Sequence, residues 1–181
     1  MEANHKNNWP VWAIEPVEIE SPDPAWLAKG LHEVNHLRVH LAQFGVSDIN
    51  HIGSTSVPNL PAKPIIDIIA KIQSYTDLDE IVAKLRRYNW NYVPPSLDGH
   101  EWRRFFVKVK DDKRECHFHL MLEDEGRWER QISFRDKLRE RPILAIQYAE
   151  LKMKLAAENK HDREAYTNAK TEFINYVLEH E

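Results

Sequence analysis

The sequence predicts an α/β protein in which helices flank a mixed sheet and a helical bundle completes the chain. The run Ile65–Ala70 is apolar except for Asp67, which is the pattern of a buried central strand. Between Leu27 and Phe44, apolar residues recur at steps of three and four, the spacing of an amphipathic helix. From Trp128 onward, three segments repeat that helical spacing.

The elements before the apolar run are a strand, a helix and a second strand. Residues Ala13–Glu20 alternate and predict an edge strand, although an internal proline weakens it. We expect Asp23 to cap the following helix and Pro24 to be its first residue. That helix is predicted to end near Gly45, before the short strand Asp48–Ile52.

After the central strand, the sequence predicts a helix, two strands and three further helices. The helix covers Leu78–Tyr88, and the strands Phe105–Val109 and Glu115–Leu122 are joined by a turn at 110–113. The three C-terminal helices are predicted over Trp128–Glu140, Pro142–Ala157 and Asp162–His180. No repeat or break in composition divides the chain, so we expect one domain over residues 1–181.

Composition limits the classes of function. With 42% apolar and 30% charged residues and a net charge of −4, the chain gives no reason to expect nucleic acid as a partner. Its single cysteine, Cys116, excludes an intramolecular disulfide and a cysteine-based zinc site. The segment Met1–Pro10 lacks the apolar stretch of a signal peptide, and no run is long enough to cross a membrane. We expect a cytoplasmic protein, and the sequence leaves its oligomeric state open.

The loop between the second strand and the central strand carries the most informative pattern. Gly53 has no Cβ and lets a ligand approach the backbone closely. The hydroxyls of Ser54, Thr55 and Ser56 can bind phosphate oxygens, and Lys63, further along the loop, supplies a positive charge. Asp67 would be costly to bury without a partner, and Mg²⁺ bound to substrate phosphates would satisfy it. The pattern fits a nucleoside triphosphate site and equally an ordinary turn, with Asp67 paired to an arginine or capping a helix.

The segments His51–Pro58 and Ala62–Ile68 resemble the hallmark of the GrpB family. The resemblance covers nearly the whole chain, and further matches are Cys116–Leu120, Phe134–Asp136, Tyr148, Lys152, Tyr166 and Lys170. GrpB proteins are similar to the nucleotidyltransferase superfamily, whose members bind metal and nucleotide with a Gly-Ser turn and strand carboxylates. The resemblance therefore implies a nucleotidyltransferase-like fold with C-terminal helices.

Two positions depart from the pattern of these families. Asn59 replaces the hallmark glycine, and asparagine tolerates a left-handed backbone. Ile69 lies where active nucleotidyltransferases carry a second acid, two residues after Asp67 on the same strand face. Two-metal phosphoryl transfer needs carboxylates that hold both ions. The sequence therefore leaves open whether the site is catalytic.

Further candidate residues lie on the predicted strand 115–122. Alternation places Glu115, His117 and His119 on one face. The superfamily takes a third acid from a later strand, and Glu115 is the nearest candidate for that catalytic role. His117 and His119 could bind a metal together with Asp67 or act as a general base; alternatively, they line a cleft that holds no metal. His51, beside the Gly-Ser turn, is open to the same alternatives.

Cationic residues of the C-terminal helices complete the predicted site. Arg135, Lys152 and Lys170 could contact triphosphate oxygens, or instead form ion pairs on helix surfaces. The first hypothesis is a nucleotidyltransferase that binds a nucleoside triphosphate with Mg²⁺ and transfers a nucleotidyl group to a small-molecule hydroxyl. The second is a non-catalytic nucleotide- or coenzyme A-related binding module, which Ile69 favours. The third is a metal-dependent hydrolase that uses Asp67, His117 and His119. The sequence identifies neither the nucleotide nor the acceptor.

Overall fold

The computed structural model describes residues 10–180 and confirms the mixed α/β class. Its sheet has the order β1-β2-β5-β4-β3, in which β2 and β5 are parallel and all other neighbours are antiparallel. The strands are β1 (Ser47–Ile52), β2 (Ile66–Ile72), β3 (Trp90–Val93), β4 (Arg104–Lys110) and β5 (Lys113–Leu122). The helices are α1 (Ala25–Leu41), α2 (Leu78–Arg86), α3 (Pro95–Asp98), α4 (Arg127–Glu140), α5 (Pro142–Glu158), α6 (Arg163–Asn168) and α7 (Thr171–Glu179).

One face of the sheet forms the main hydrophobic core with α1 and α2. Leu37 of α1, Leu85 of α2, Ile68 of β2 and Phe118 of β5 are all fully buried there. Burying such a side chain stabilises the fold by about 1.5–3 kcal/mol, so this face supplies much of the driving force. The helices predicted at 27–44 and 78–88 are therefore confirmed, and their apolar stripes face the sheet.

The opposite face of the sheet is turned toward the C-terminal helices. A second core joins the loop that follows β1 to α4, α5 and α7, through Val57, Leu60, Phe134, Tyr148 and Val177. A small cluster of Ile52, Ile69 and Met121 covers part of this face and contacts Ile132 of α4. The remaining part of the face carries polar residues and is called the site face below.

Two element predictions are wrong. Residues 13–20 do not form an edge strand: Glu20 makes one isolated bridge to Ala62, and Val17 donates instead to the carbonyl of Lys160. Pro16 lacks the N–H that a strand ladder needs, which explains the failure. The single helix predicted over 162–180 is broken, since α6 ends at Asn168 and α7 begins at Thr171. The sequence analysis also missed β3 and α3.

The described helices include none that combines the length and the apolar character required to cross a bilayer. The expectation that the segment Met1–Pro10 is not a signal peptide concerns mainly residues 1–9, which lie outside the described part of the chain.

Candidate functional site

The turn that follows β1 lies directly against the carboxylate of Asp67. Gly53 has φ 71° and ψ −175°, a backbone conformation that favours glycine. A Cβ on Gly53 would lie 2.7 Å from Oδ2 of Asp67, so any side chain there would displace the carboxylate. The hydroxyl of Ser56 donates to the Gly53 carbonyl at 2.6 Å, and that of Thr55 donates to the Ile65 carbonyl at 3.2 Å. These two hydroxyls brace the turn itself.

Parallel pairing of β2 with β5 assembles the polar centre of the site face. The register places Asp67 opposite His117 and Ile69 opposite His119. Nδ1 of His117 lies 2.9 Å and Nε2 of His119 lies 3.8 Å from Oδ1 of Asp67. Among residues 10–180, these three form the one group of histidine, cysteine and acidic side chains close enough to share a metal ion. The predicted association of Asp67, His117 and His119 is thus present.

Two arginines approach the histidines from the sides that face away from Asp67. Nη1 of Arg103 donates to Nδ1 of His119 at 2.5 Å, and Nη1 of Arg114 lies 3.4 Å from Nε2 of His117. Arg103 is held by two hydrogen bonds to Asp98, of 2.6 and 2.7 Å. Arg114 donates to the main-chain carbonyls of Trp12 and Ala13. The sequence analysis missed both arginines.

The hydrogen bonds around Asp67 keep it ionised. Burial on its own would raise the pKa of Asp67, but the N–H groups of His117 and His119 outweigh burial and hold that pKa well below its ordinary value. Burial lowers the pKa of His117 to about 4 and also lowers that of His119. At neutral pH the centre is therefore one carboxylate between two neutral imidazoles. The Asp67 side chain remains 31% exposed and can reach a ligand.

Glu115 is not part of this centre. Lys108 of β4 pairs with Cys116, but Val109 pairs with Arg114, so the register shifts at this point and Glu115 is the extra residue on β5. Glu115 lines a cleft beside α1 together with Cys116. Glu115 was predicted to share a face with His117 because strand residues alternate, and the bulge interrupts that alternation.

His51 lies on the α1 side of β1. Its Nε2 is 2.9 Å from the hydroxyl of Thr55, and its ring packs on Gly30 of α1. Burial lowers the pKa of His51 to about 4, which keeps it neutral. These contacts support the turn, and none of them points to a ligand.

Three lysines form a cationic cluster next to the site face: Lys63 before β2, Lys152 in α5 and Lys170 between α6 and α7. Lys152 is 2% exposed and donates to the carbonyl of Pro61. The ammonium groups of Lys63 and Lys170 lie 5.0 and 4.3 Å from the ring centre of Tyr166. We call these three residues the lysine cluster.

The lysine cluster is crowded with positive charge. Burial first, and then Arg163 and Lys170, lower the pKa of Lys63 to about 7. Burial and the two other lysines lower the pKa of Lys152 to about 7, and burial lowers that of Lys170 to about 8. Within the described chain, Asp67 is the one acid whose charge raises the pKa of Lys63 and Lys170. The lysine cluster therefore has three lysines for one nearby carboxylate of the described chain.

The other predicted cation, Arg135, is engaged in structural contacts. It donates to the His51 carbonyl at 3.0 Å and pairs with Asp136 at 2.7 Å.

Tyr148 lies beside Ser54; burial raises the pKa of this phenol, and a hydrogen bond with Ser54 opposes the rise. Of the predicted ligand-binding residues, Gly53 contacts Asp67, and the charge of Asp67 raises the pKa of Lys63 and Lys170.

The sequence matches the family model described as GrpB protein over residues 16–180. The chain belongs to the GrpB family. It is 37% identical over 131 residues to the UPF0157 protein YqkA of Bacillus subtilis, covering 72% of this chain and 37% of that protein. It is 37% identical over 165 residues to the UPF0157 protein PA4798 of Pseudomonas aeruginosa, covering 90% of this chain and 66% of that protein. The chain thus spans less than two thirds of either relative.

Solved structures agree with the family and with the fold. The crystal structure of GrpB from Enterococcus faecalis is 31% identical, with a TM-score of 0.78 over 90% of this chain and 95% of that chain. The Cid1 poly(U) polymerase with MgGTP bound is 11% identical, with a TM-score of 0.51 over 83% of this chain and 50% of that chain. The likeness to Cid1 shows that this GrpB chain has a nucleotidyltransferase-like fold.

One further relative is a kinase. A stretch of 76 residues is 36% identical to a dephospho-CoA kinase of Mycolicibacterium paratuberculosis, covering 40% of this chain and 18% of that protein.

Proposed function

We propose that this chain binds the polyphosphate of a nucleoside triphosphate, together with a divalent cation, between the Gly53 turn and the lysine cluster. The observation that carries the proposal is the lysine cluster, in which Lys152 is buried and Lys63 and Lys170 are half-buried. The pKa values of all three are lowered, and Asp67 is the one acid of the described chain whose charge raises those of Lys63 and Lys170. Burying cations without partners costs free energy, and a multiply charged anion between them removes that cost. A triphosphate has the required charge and length.

Asp67 is the residue that would hold the cation. Mg²⁺ is usually bound by one or two carboxylates together with the phosphates of the substrate, and Asp67 with a triphosphate offers that set of oxygens. The phosphates and Asp67 are both negatively charged, and Mg²⁺ between them would neutralise that charge. The Gly53 turn leaves the approach to Asp67 open because it has no side chain.

Nucleotidyl transfer is the catalytic form of this proposal. An acceptor hydroxyl would form a bond to the α-phosphorus, pyrophosphate would leave, and a base would take the hydroxyl proton. Ile69 is 1% exposed and packs with Ile52 and Met121, so the position of the usual second acid is apolar. The geometry therefore supports nucleotide binding better than turnover.

A second candidate is a binding module that serves coenzyme A chemistry. The match to part of a dephospho-CoA kinase supports it. Dephospho-coenzyme A also carries an adenine nucleotide with a pyrophosphate, so the same lysine cluster would bind it. The two candidates differ in the ligand that binds more tightly.

Calorimetric titration with nucleoside triphosphates and dephospho-coenzyme A, with and without MgCl₂, tests the proposal. We expect saturable binding that Mg²⁺ strengthens. Lys170→Met should weaken binding by about 10- to 100-fold, since hydrogen bonds to charged groups contribute about 1.5–3 kcal/mol. The matched control is Lys154→Met, because Lys154 is 71% exposed on α5. Equal affinity in both variants, or no binding by the unmodified chain, contradicts the proposal. Pyrophosphate release with an acceptor panel identifies the catalytic form.

A further inference from the structure

The arginines beside His117 and His119 determine where the protons of both imidazoles lie. An arginine side chain carries only hydrogen-bond donors. Nδ1 of His119 must therefore accept from Arg103, and Nε2 of His117 must accept from Arg114. Each neutral imidazole then has its N–H on the other nitrogen, and both N–H groups face Oδ1 of Asp67. His117 is the Nδ1–H tautomer and His119 the Nε2–H tautomer.

Both arginines are fixed by contacts of their own. The Arg103–Asp98 pair has two short hydrogen bonds, and the two side chains are only 12% and 7% exposed. Arg114 is anchored to main-chain carbonyls, of which that of Trp12 accepts at 2.7 Å. A guanidinium held in this way cannot turn aside at little cost if the neighbouring imidazole changes tautomer.

This arrangement opposes metal binding by the imidazoles. A metal-bound histidine presents a lone pair to the ion and usually donates its other N–H to a carboxylate, a carbonyl or water. If His119 bound an ion through Nε2, its Nδ1–H would point at the donor groups of Arg103. The same conflict would arise between His117 and Arg114. Asp67 keeps its free oxygen, Oδ2, on the side of the Gly53 turn.

We propose that Arg103 and Arg114 are positioning residues. They hold His117 as a hydrogen-bond donor to Asp67 and turn the N–H of His119 toward the same carboxylate. The site thereby takes a hard, oxygen-liganded cation on Asp67 and rejects transition metals that prefer imidazole. The imidazoles then order the single carboxylate in a site whose second acid is replaced by Ile69. This inference rests on the proposed function only for the cation at Asp67.

Nitrogen-15 NMR of the histidine side chains tests the tautomers directly, without metal or nucleotide. In the unmodified chain we expect His117 protonated at Nδ1 and His119 at Nε2. Arg103→Met should release His119 into a mixture of tautomers while His117 is unchanged. The control is Arg104→Met, because Arg104 donates only to nearby carbonyls and lies over Tyr75. If the unmodified chain shows the opposite tautomers, the proposal is overturned. The spectrum of the unmodified chain is therefore a sufficient test even if Arg103→Met fails to fold.

Titration with Co²⁺ alone tests the rejection of transition metals. We expect no visible absorption from Co²⁺ bound to imidazole in the unmodified chain, and stronger Co²⁺ binding by Arg114→Met. Tight Co²⁺ binding by the unmodified chain that is lost in His117→Ala overturns the inference. If the tautomers are as expected but no nucleotide binds, the proposed function fails and the positioning role stands.

Discussion

Oδ2 of Asp67 lies 2.7 Å from the point that a Cβ would occupy on Gly53. Strand β2 and the turn after β1 are therefore in contact beside the carboxylate that would hold the proposed cation. The site depends on the absence of a side chain at Gly53 as much as on the side chains around it. Substitutions at glycines provide the sharpest tests of this relationship.

Gly53→Ala should destabilise the fold and abolish cation-dependent nucleotide binding. The new methyl would collide with Asp67, and alanine at φ 71° and ψ −175°, a region almost restricted to glycine, adds strain of about 1–3 kcal/mol. Gly45→Ala is the control for a positive φ without a contact, because Gly45 has φ 70° and ψ 19° and no described atom within 4 Å of its Cβ position. Chemical denaturation should show a loss of unfolding free energy from backbone strain alone in Gly45→Ala, and a larger loss in Gly53→Ala. Equal losses and unchanged binding would show that the contact with Asp67 is unimportant.

Asp67→Asn should remove the effect of Mg²⁺ on nucleotide affinity, because the amide keeps the shape of the side chain but not its charge. We expect the Mg²⁺-dependent gain to fall by about tenfold or more. Asp112→Asn, in the exposed turn between β4 and β5, is the control, and asparagine tolerates its φ of 57°. Calorimetric titration with and without Mg²⁺ gives the two nucleotide affinities whose ratio is the Mg²⁺-dependent gain. An unchanged Mg²⁺ response in Asp67→Asn would place the cation elsewhere.

The lysine cluster predicts how stability depends on pH. The pKa values of Lys63, Lys152 and Lys170 are lowered from 10.5 to about 7, 7 and 8. Between about pH 7 and 10.5 the unfolded chain therefore binds more protons than the folded chain, so these lysines make the free energy of unfolding rise with pH. Lys170→Met should reduce that rise, and Lys154→Met should not. Denaturation at several pH values measures the slope, and equal slopes in both variants would contradict the lowered pKa values.

The same lysines predict that anion binding takes up protons. Pyrophosphate stabilises the charged ammonium groups, so its affinity should fall as the pH rises from about 7 to 9. Calorimetry at pH 7.5 in buffers of different ionisation enthalpy measures the uptake directly. Binding with no proton uptake would mean that the anion does not contact the cluster.

Gly30→Ala should disturb the support of the turn from the α1 side. A Cβ there would lie 2.0 Å from Nδ1 of His51, and overpacking in a core costs about 1–3 kcal/mol. The better helix propensity of alanine offsets up to about 1 kcal/mol. Gly126→Ala, with no neighbour within 4 Å, should be nearly neutral in thermal denaturation. A stabilised Gly30→Ala variant would show that His51 moves freely.

Elements with a strong apolar period were predictable from the sequence. Strands β2 and β5 and helix α1 were identified because their buried faces follow the strand or helix repeat. Strand β3 was missed because Trp90–Val93 is four residues long and only Trp90 is buried. So short a segment gives too few residues to establish a period.

The site could be predicted only in part. Asp67, Gly53 and the histidines stand out by residue type and spacing, and the GrpB resemblance linked them to the lysines. Arg103 and Arg114 carry no such signal, since neither belongs to a recognisable motif: Arg103 precedes β4 and Arg114 is the second residue of β5. Arg114 reaches His117 because of the bulge at Glu115, and the sequence does not mark that bulge.

Four cations of α4, α5 and α6 attach the helical layer to the rest of the chain through main-chain carbonyls: Arg135 to His51, Arg139 to Ser56, Lys152 to Pro61 and Arg163 to Glu15. A carbonyl is present whichever residue occupies a position. Exposed side chains of the loop after β1, such as that of Asn59, can therefore be exchanged while the helices keep these anchors. Those exposed positions can be altered without rebuilding the scaffold beneath them.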